Sequence, residues 1–202
     1  MTEQETLRVR AMRLAVFIVV WDVLEGVVAV TAGLLAGSIA LVGFGIDSSI
    51  EVFAALVVIW QLRAGAQARQ RQSLRLIALS FFALAAYVSY ESLRDLISGD
   101  KAGESWIGIG LNVVALAVML PVAIAQRRTG RSLGNQTVVA QSQETWISNY
   151  LSISLLAGLG LNALLGWWWA DPVAALIVSG VAVMSGIEAW RESNEHEAHG
   201  SP

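Results

Sequence analysis

The sequence predicts an all-α integral membrane protein, a bundle of six transmembrane helices with both termini in the cytoplasm. Three observations lead there. The 202 residues are 55% hydrophobic and only 14% charged, with mean hydropathy +0.60, whereas a soluble domain carries about 25% charged residues. Apolar runs recur six times, over about 12–35, 39–62, 74–97, 106–124, 138–165 and 172–190, each near or above the ~20 residues that cross ~30 Å of hydrocarbon. Finally, eleven of the 13 basic residues fall on alternate connections: Arg8, Arg10, Arg13, Arg63, Arg69, Arg71, Arg75, Arg127, Arg128, Arg131 and Arg191. Only Arg94 and Lys101 fall on the other side, so the positive-inside rule puts both ends in the cytoplasm.

No connection is long enough to be a domain, so residues 1–202 read as one transmembrane domain. The short ends are about 1–11 and 191–202. MTEQETLRVR lacks the plan of a cleaved signal peptide, and the first apolar run reads as a retained span. Trp60, Trp106, Trp167, Trp168, Trp169 and Trp190 stand at span ends, where an amphipathic ring prefers the interface. Trp21 is mid-span and must face lipid or the bundle interior.

The first span carries Asp22 and Glu25, three residues apart and so on one helical face. They line a cavity as a relay or proton site, or they bond to neighbouring helices and fix packing. Ala29, Gly33 and Gly37 form a ridge of small residues suited to close helix packing.

The second span, IALVGFGIDSSIEVFAALVVIWQL, contains Asp47 and Glu51 at a spacing of four, again on one face. At 1.5 Å per residue they lie roughly 12 and 18 Å into the membrane. Each ionised acid there costs on the order of 2.5–3.5 kcal/mol. No Lys, Arg or His lies at mid-depth in any span to compensate. The pair is expected to co-ligate a divalent cation, with Ser48 on a neighbouring face; a shared proton or a structural hydrogen bond is the alternative.

In the third span Glu91 follows Tyr87 and Tyr90 and precedes Arg94 at i+3, which can neutralise it near the outer interface. The fourth span holds Pro121 near its end, where a proline kinks or ends a helix. After it, RRTGRSLGNQ (127–136) reads as a polar basic loop, like RAGAQARQRQS (63–73). The fifth span opens on a dense polar patch: Glu144, Thr145, Ser148, Asn149, Tyr150 and Ser152. Thr145 and Asn149 share a face at i, i+4. They supply neutral oxygen ligands opposite Asp47 and Glu51, or they bond between helices. Beyond the sixth span, His196 and His199 sit in an acidic tail that reads as a solvated, disordered end rather than a metal site.

The chain has no cysteine, which removes disulfides, thiolate ligands and thiol redox chemistry. GxSxG, HExxH and a Gly-rich phosphate loop are missing, so an enzyme is not expected. Sparse, dispersed basic residues argue against nucleic acid as a partner. No resident cofactor is expected.

Three stretches together resemble the cation diffusion facilitator family of metal-ion/proton antiporters: AGLLAGSIALVGFGIDSSIE (32–51), YESLRDL (90–96) and LNALLGWWWADPVAALIVSGVAVMSGIEAWRES (161–193). The family's Gly-Ser-x-Ala run is followed by His or Asp and an acid four residues on, here Asp47 and Glu51. Its turn before the last span is matched by Trp169-Ala170-Asp171-Pro172. Family members usually carry His and Asp four apart in the fifth span, and the matching positions here are Thr145 and Asn149; Glu144, one residue off, is a substitute. Many members also have a cytoplasmic C-terminal domain for dimerisation. This sequence stops without one and is expected to be a short form.

The resemblance implies proton-coupled efflux of a divalent metal ion in a bacterial inner membrane. The ligands are Asp47, Glu51, Thr145 and Asn149, and Asp22, Glu25, Glu91 and Glu144 are relay or accessory groups. Crowded buried acids hold protons that a dication displaces. All-oxygen sites suit Mg²⁺ or Mn²⁺ more readily, whereas the family pulls toward zinc, cobalt or iron. Zinc is the expected cargo, with manganese, cobalt and iron as alternatives, and a homodimer is the family-based expectation. Two other classes fit the sequence: a non-transporting scaffold of the same fold, and a proton-coupled carrier of small organic cations.

Overall fold

The computed structural model describes residues 2–36, 39–64, 69–99 and 106–198. They form six helices: α1 (Glu3–Ala36), α2 (Ile39–Ala64), α3 (Gln70–Ser98), α4 (Trp106–Leu133), α5 (Gln136–Leu165) and α6 (Ala170–Ala198). All but α5 are long and apolar enough to cross a membrane. The exception has a physical cause. The first half of α5 is polar, and its Gln141, Ser142, Glu144, Thr145, Ser148, Asn149 and Ser152 are all buried. α5 packs against α2, α3, α4 and α6. A helix walled by other helices can present hydrogen-bonding groups to protein rather than to lipid.

Three elements run differently from the sequence expectation. Pro121 neither ends α4 nor marks its boundary, because the helix continues to Leu133. Pro121 is exposed, and spanning helices tolerate proline because surrounding groups re-satisfy the freed carbonyl. The expected loop 127–136 is almost wholly helix. Gly130 is the one weak helix former in RRTGRSL, and α4 carries it; the helix stops only at Gly134, whose φ of 65° suits a residue without Cβ. The turn is therefore only Gly134 and Asn135. Asn135 is extended, and its side chain accepts from the Val138 N–H at 3.2 Å, capping α5. Thirdly, the tail after Arg191 is not disordered but continues α6 to Ala198. The His196 side chain and His199 lie outside the described residues, as do Gly37 and Lys101.

Long-range hydrogen bonds tie the basic ends together. Arg8 at the start of α1 donates to the Leu62 carbonyl at the end of α2, through Nε at 3.1 Å and also through Nη2. Asn135 between α4 and α5 donates to Gln61 of α2 at 2.9 Å. Arg75 near the start of α3 donates to Asn194 of α6 at 3.1 Å. Helix starts and ends thus alternate, and the six rods run antiparallel in sequence. α1 packs chiefly on α2, α3 on α6 and α4 on α5.

Leu74, Ile77, Phe81 and Leu84 of α3 form the largest apolar core with Ala54 and Val57 of α2 and with Ala140 and Ile147 of α5. Val20, Leu24, Val27 and Leu35 of α1 face outward, as lipid-facing positions do. Trp60, Trp106, Trp167, Trp169 and Trp190 are exposed near helix ends. Trp21 is half-buried and stacked on Phe17 with ring centroids 6.3 Å apart.

A carboxylate-lined cavity as the candidate functional site

The site begins with a close crossing. Gly26 of α1 meets Gly45 of α2 so tightly that a Cβ built on Gly45 would stand 3.0 Å from the Gly26 carbonyl oxygen. Without side chains in between, the helices bring their acidic faces together. Asp22 and Glu25 lie on the turn before Gly26, and Asp47 and Glu51 follow Gly45. Gly26 and Gly45 thus make a contact that the Ala29–Gly33 ridge did not reveal, although Ala29 and Gly33 are buried too.

The four carboxylates line one cavity, with Ser48 and Phe44 beside them on α2. α4 closes it with Ala115 and Met119, and α5 contributes Ser148, Asn149 and Ser152. It has room for about one or two water-sized bodies. Among the described residues no Lys, Arg or His lines it. Asp22, Glu25 and Glu51 are buried, and Asp47 is half-buried. One oxygen of each of the four has no hydrogen-bond partner. Among the described residues no three acids close on a common point, so the carboxylates surround the space rather than clasp it.

The fifth helix engages the site through a residue that the sequence did not single out as a ligand. Ser148 donates to Asp47 Oδ2 at 3.2 Å. Asn149 lines the cavity, while its amide nitrogen donates to the Thr145 carbonyl at 2.7 Å and so leaves its oxygen for the cavity. Thr145 stays off the lining; its hydroxyl bonds back to the Gln141 carbonyl at 3.4 Å. The face of α5 turned to the cavity is therefore Ser148, Asn149 and Ser152, with Thr145 off the lining. Only the rotation of α5 against α2 selects between these faces, and no local pattern encodes it.

The accessory residues divide. Asp22 and Glu25 join Asp47 and Glu51. Glu144 is buried off the cavity lining, and neither of its oxygens has a hydrogen-bond partner; the nearby Ser80 hydroxyl of α3 donates to the Ile77 carbonyl at 2.8 Å. It sits on the stripe of Ala140 and Ile147 that packs on α3. Glu91 also lies outside the lining. Its carboxylate and the Tyr87 hydroxyl press on Gly43 of α2, and Asp95 and Arg94 are its charged neighbours.

Residues 76–195, more than half of the chain, match the cation efflux transmembrane domain. The chain belongs to the cation efflux family. This is the cation diffusion facilitator family of the sequence resemblance, and its members are transporters rather than enzymes. The matched residues cover α3 to α6 and leave out α1 and α2, whose four acids line the cavity.

Individual relatives reach further along the chain. An uncharacterized transporter of Synechocystis is 25% identical over 170 residues, 79% of this chain and 55% of its own. Magnetosome protein MamB of Magnetospira is 26% identical over 167 residues, 77% of this chain and 57% of its own. Cation-efflux pump FieF of Salmonella typhi is 26% identical over 149 residues, 69% of this chain and 50% of its own. The chain thus spans about half the length of these relatives.

Proposed function

We propose that this chain carries a divalent metal cation out of the cytoplasm in exchange for protons, with the cation held between Asp47, Glu51 and Asn149. One observation carries the reading: a cavity inside the bundle lined by four carboxylates and no base. Four ionised acids there would repel one another at little solvent screening. Protons or a dication relieve that repulsion, and exchange of one for the other is the coupling. Room for about one or two water-sized bodies suits a stripped metal ion and disfavours an organic cation. Zinc is the cargo that the resemblance implies, and manganese, cobalt and iron fit the same charge.

The alternating basic ends support six crossings with both described ends of the bundle cytoplasmic, and rocking of one helix group against another would alternate access. A homodimer in a bacterial inner membrane completes the reading.

The test is purified protein in proteoliposomes with a metal-sensitive dye and a pH-sensitive dye. Wild type should move Zn²⁺ or Mn²⁺ with an opposite proton signal, and Asp47→Asn and Glu51→Gln should move neither. Equal rates for wild type and both variants would sink the site; metal flux without a proton signal would sink the exchange.

A further inference from the structure

A polar seam runs from the cavity to the cytoplasmic end of the bundle, between α4 and α5. On α5, Thr137, Gln141, Thr145 and Asn149 recur every four residues, and each is at most 3% exposed. Asn149 reaches the cavity, and Thr137 stands in the first turn of the helix. On α4, Ala115 and Met119 line the cavity, and Ala123, Gln126 and Thr129 continue that buried stripe toward the cytoplasm. The polar run has no counterpart on the outer half of α5. Beyond Ser152 only Ser154 and Asn162 interrupt a stretch of Ile, Leu, Ala and Gly.

Carboxamides close the seam in two places. At its mouth Asn135 donates to Gln61 of α2 at 2.9 Å. Roughly 9 Å deeper, at 1.5 Å per residue along α5, Gln126 donates to Gln141 across the two helices. That bridge is one of the two bonds that a pair of carboxamides can exchange. Gln126 Oε1 and Gln141 Nε2 have no partner, and neither has Thr137 Oγ1. A purely structural network closes on itself, because buried polar groups left unpaired are costly. This one is incomplete along its length, and water or an ion in the seam would complete it.

The seam offers acceptor oxygen without fixed charge. Thr129, Thr145 and Asn149 spend their donors on carbonyls of their own helices, those of Ala125 at 2.7 Å, Gln141 at 3.4 Å and Thr145 at 2.7 Å. Their side-chain oxygens, with the unpaired Gln126 Oε1, remain for a cation. Neutral oxygens replace part of an ion's water without trapping it, whereas the carboxylates farther in would hold it.

We propose that the cation enters the cavity from the cytoplasm along the α4–α5 seam, over these neutral oxygens, and that the Gln126–Gln141 bridge is the gate that shuts the path. This rests on the cation-carrier reading and adds a route and a gate to it.

The experiment uses the full chain, whose lack of cysteine lets a single thiol report alone. Thr145→Cys, on the cavity side of the bridge, is reacted in inside-out membrane vesicles with a charged, impermeant methanethiosulfonate. Labelling should be slow, and adding Gln126→Ala should speed it by about tenfold or more. Right-side-out vesicles should show no such gain. Ser73→Cys, equally buried near the start of α3, should not respond to Gln126→Ala. In proteoliposomes Gln126→Leu with Gln141→Leu, which makes the seam apolar, should cut Zn²⁺ flux by about tenfold, while Zn²⁺ binding in detergent stays within about twofold. Gln126→Asn with Gln141→Asn, checked for helicity and monodispersity, should recover part of the flux.

Thr145→Cys labelling that Gln126→Ala leaves unchanged, or speeds equally from the outer face, overturns the gate. Undiminished flux through the leucine pair overturns the route, and equal loss of binding and flux makes the two glutamines structural and overturns both. Each of these leaves the carrier reading intact. If wild type neither binds nor moves a dication, the carrier reading itself falls, and the proposal with it.

Discussion

Substituting Gly45 by alanine should loosen the bundle, whereas the same change at Gly26 should not. A Cβ on Gly45 would lie 3.0 Å from the Gly26 carbonyl oxygen and 3.3 Å from the Val30 nitrogen, and would overlap the Val30 side chain. The two nearest backbone atoms cannot rotate away as a side chain can. To reach the 3.4 Å of ordinary contact, α1 and α2 must part by about 0.4 Å (3.4 less 3.0) along their tightest crossing. Overpacking of this kind costs about 1–3 kcal/mol. Against it stands the helix preference for alanine over glycine, about 0.5–1 kcal/mol. The clash wins, and Gly45→Ala is expected to be destabilised by about 1–2 kcal/mol.

On Gly26 the added Cβ would meet the Gly45 carbonyl and Ser48 Cβ at 3.4 Å each, which is ordinary contact. There the helix preference stands alone, and Gly26→Ala should be neutral or stabilised by up to about 1 kcal/mol. The assay is reversible unfolding in mixed micelles by SDS titration, followed by circular dichroism, with a cation titration on each variant. Gly45→Ala should also weaken dication binding, since it moves Asp22 and Glu25 away from Asp47 and Glu51. Equal unfolding midpoints for the two variants would refute the crossing as the element that assembles the site.

Other consequences are equally measurable. Ser148→Ala removes the 3.2 Å bond to Asp47 Oδ2; a hydrogen bond to a charged group is worth about 1.5–3 kcal/mol, so dication affinity should change about tenfold by calorimetry, while Thr145→Ala, off the cavity, should leave it within about twofold. Asn135→Ala loses both the α5 cap and the bond to Gln61 and should cost about 1–3 kcal/mol in the same unfolding assay; Asn135→Asp, which keeps the cap, should cost less. Dication binding in weakly buffered solution should release protons from wild type, and Glu51→Gln should reduce the number released per ion. Invariance of that number would remove Glu51 from the exchange.

Much of the fold was legible because membrane insertion writes itself into composition. Six apolar runs gave six helices, and alternating basic connections anticipated the ends that Arg8, Asn135 and Arg75 tie together. Helix limits were less legible. Pro121 and the arginines of 127–131 looked like a stop and a loop, yet α4 runs through both, because one proline frees a single carbonyl that surrounding groups can re-satisfy and 127–133 holds no turn signal stronger than Gly130. Asp47 and Glu51 stood out as expensive acids in an apolar run, and spacing alone put Asp22 with Glu25. Their union in one cavity was not visible, since Gly26 and Gly45 are unremarkable among the chain's 18 glycines.

The sequence by itself determined that this protein is a helical membrane bundle with uncompensated acids at depth, because hydropathy, spacing and the lack of a compensating base are properties of the chain alone. Its family could be read from short matched stretches for the same reason. Only the tertiary structure decided which acids meet. Helix rotation and closest approach depend on atoms distant in sequence, such as the Gly26 carbonyl against Gly45 or the Ser148 hydroxyl against Asp47. Those contacts turned α5 so that Ser148 and Asn149, not Thr145, face the cavity. They also turned α1 from a packing helix into a wall of the site.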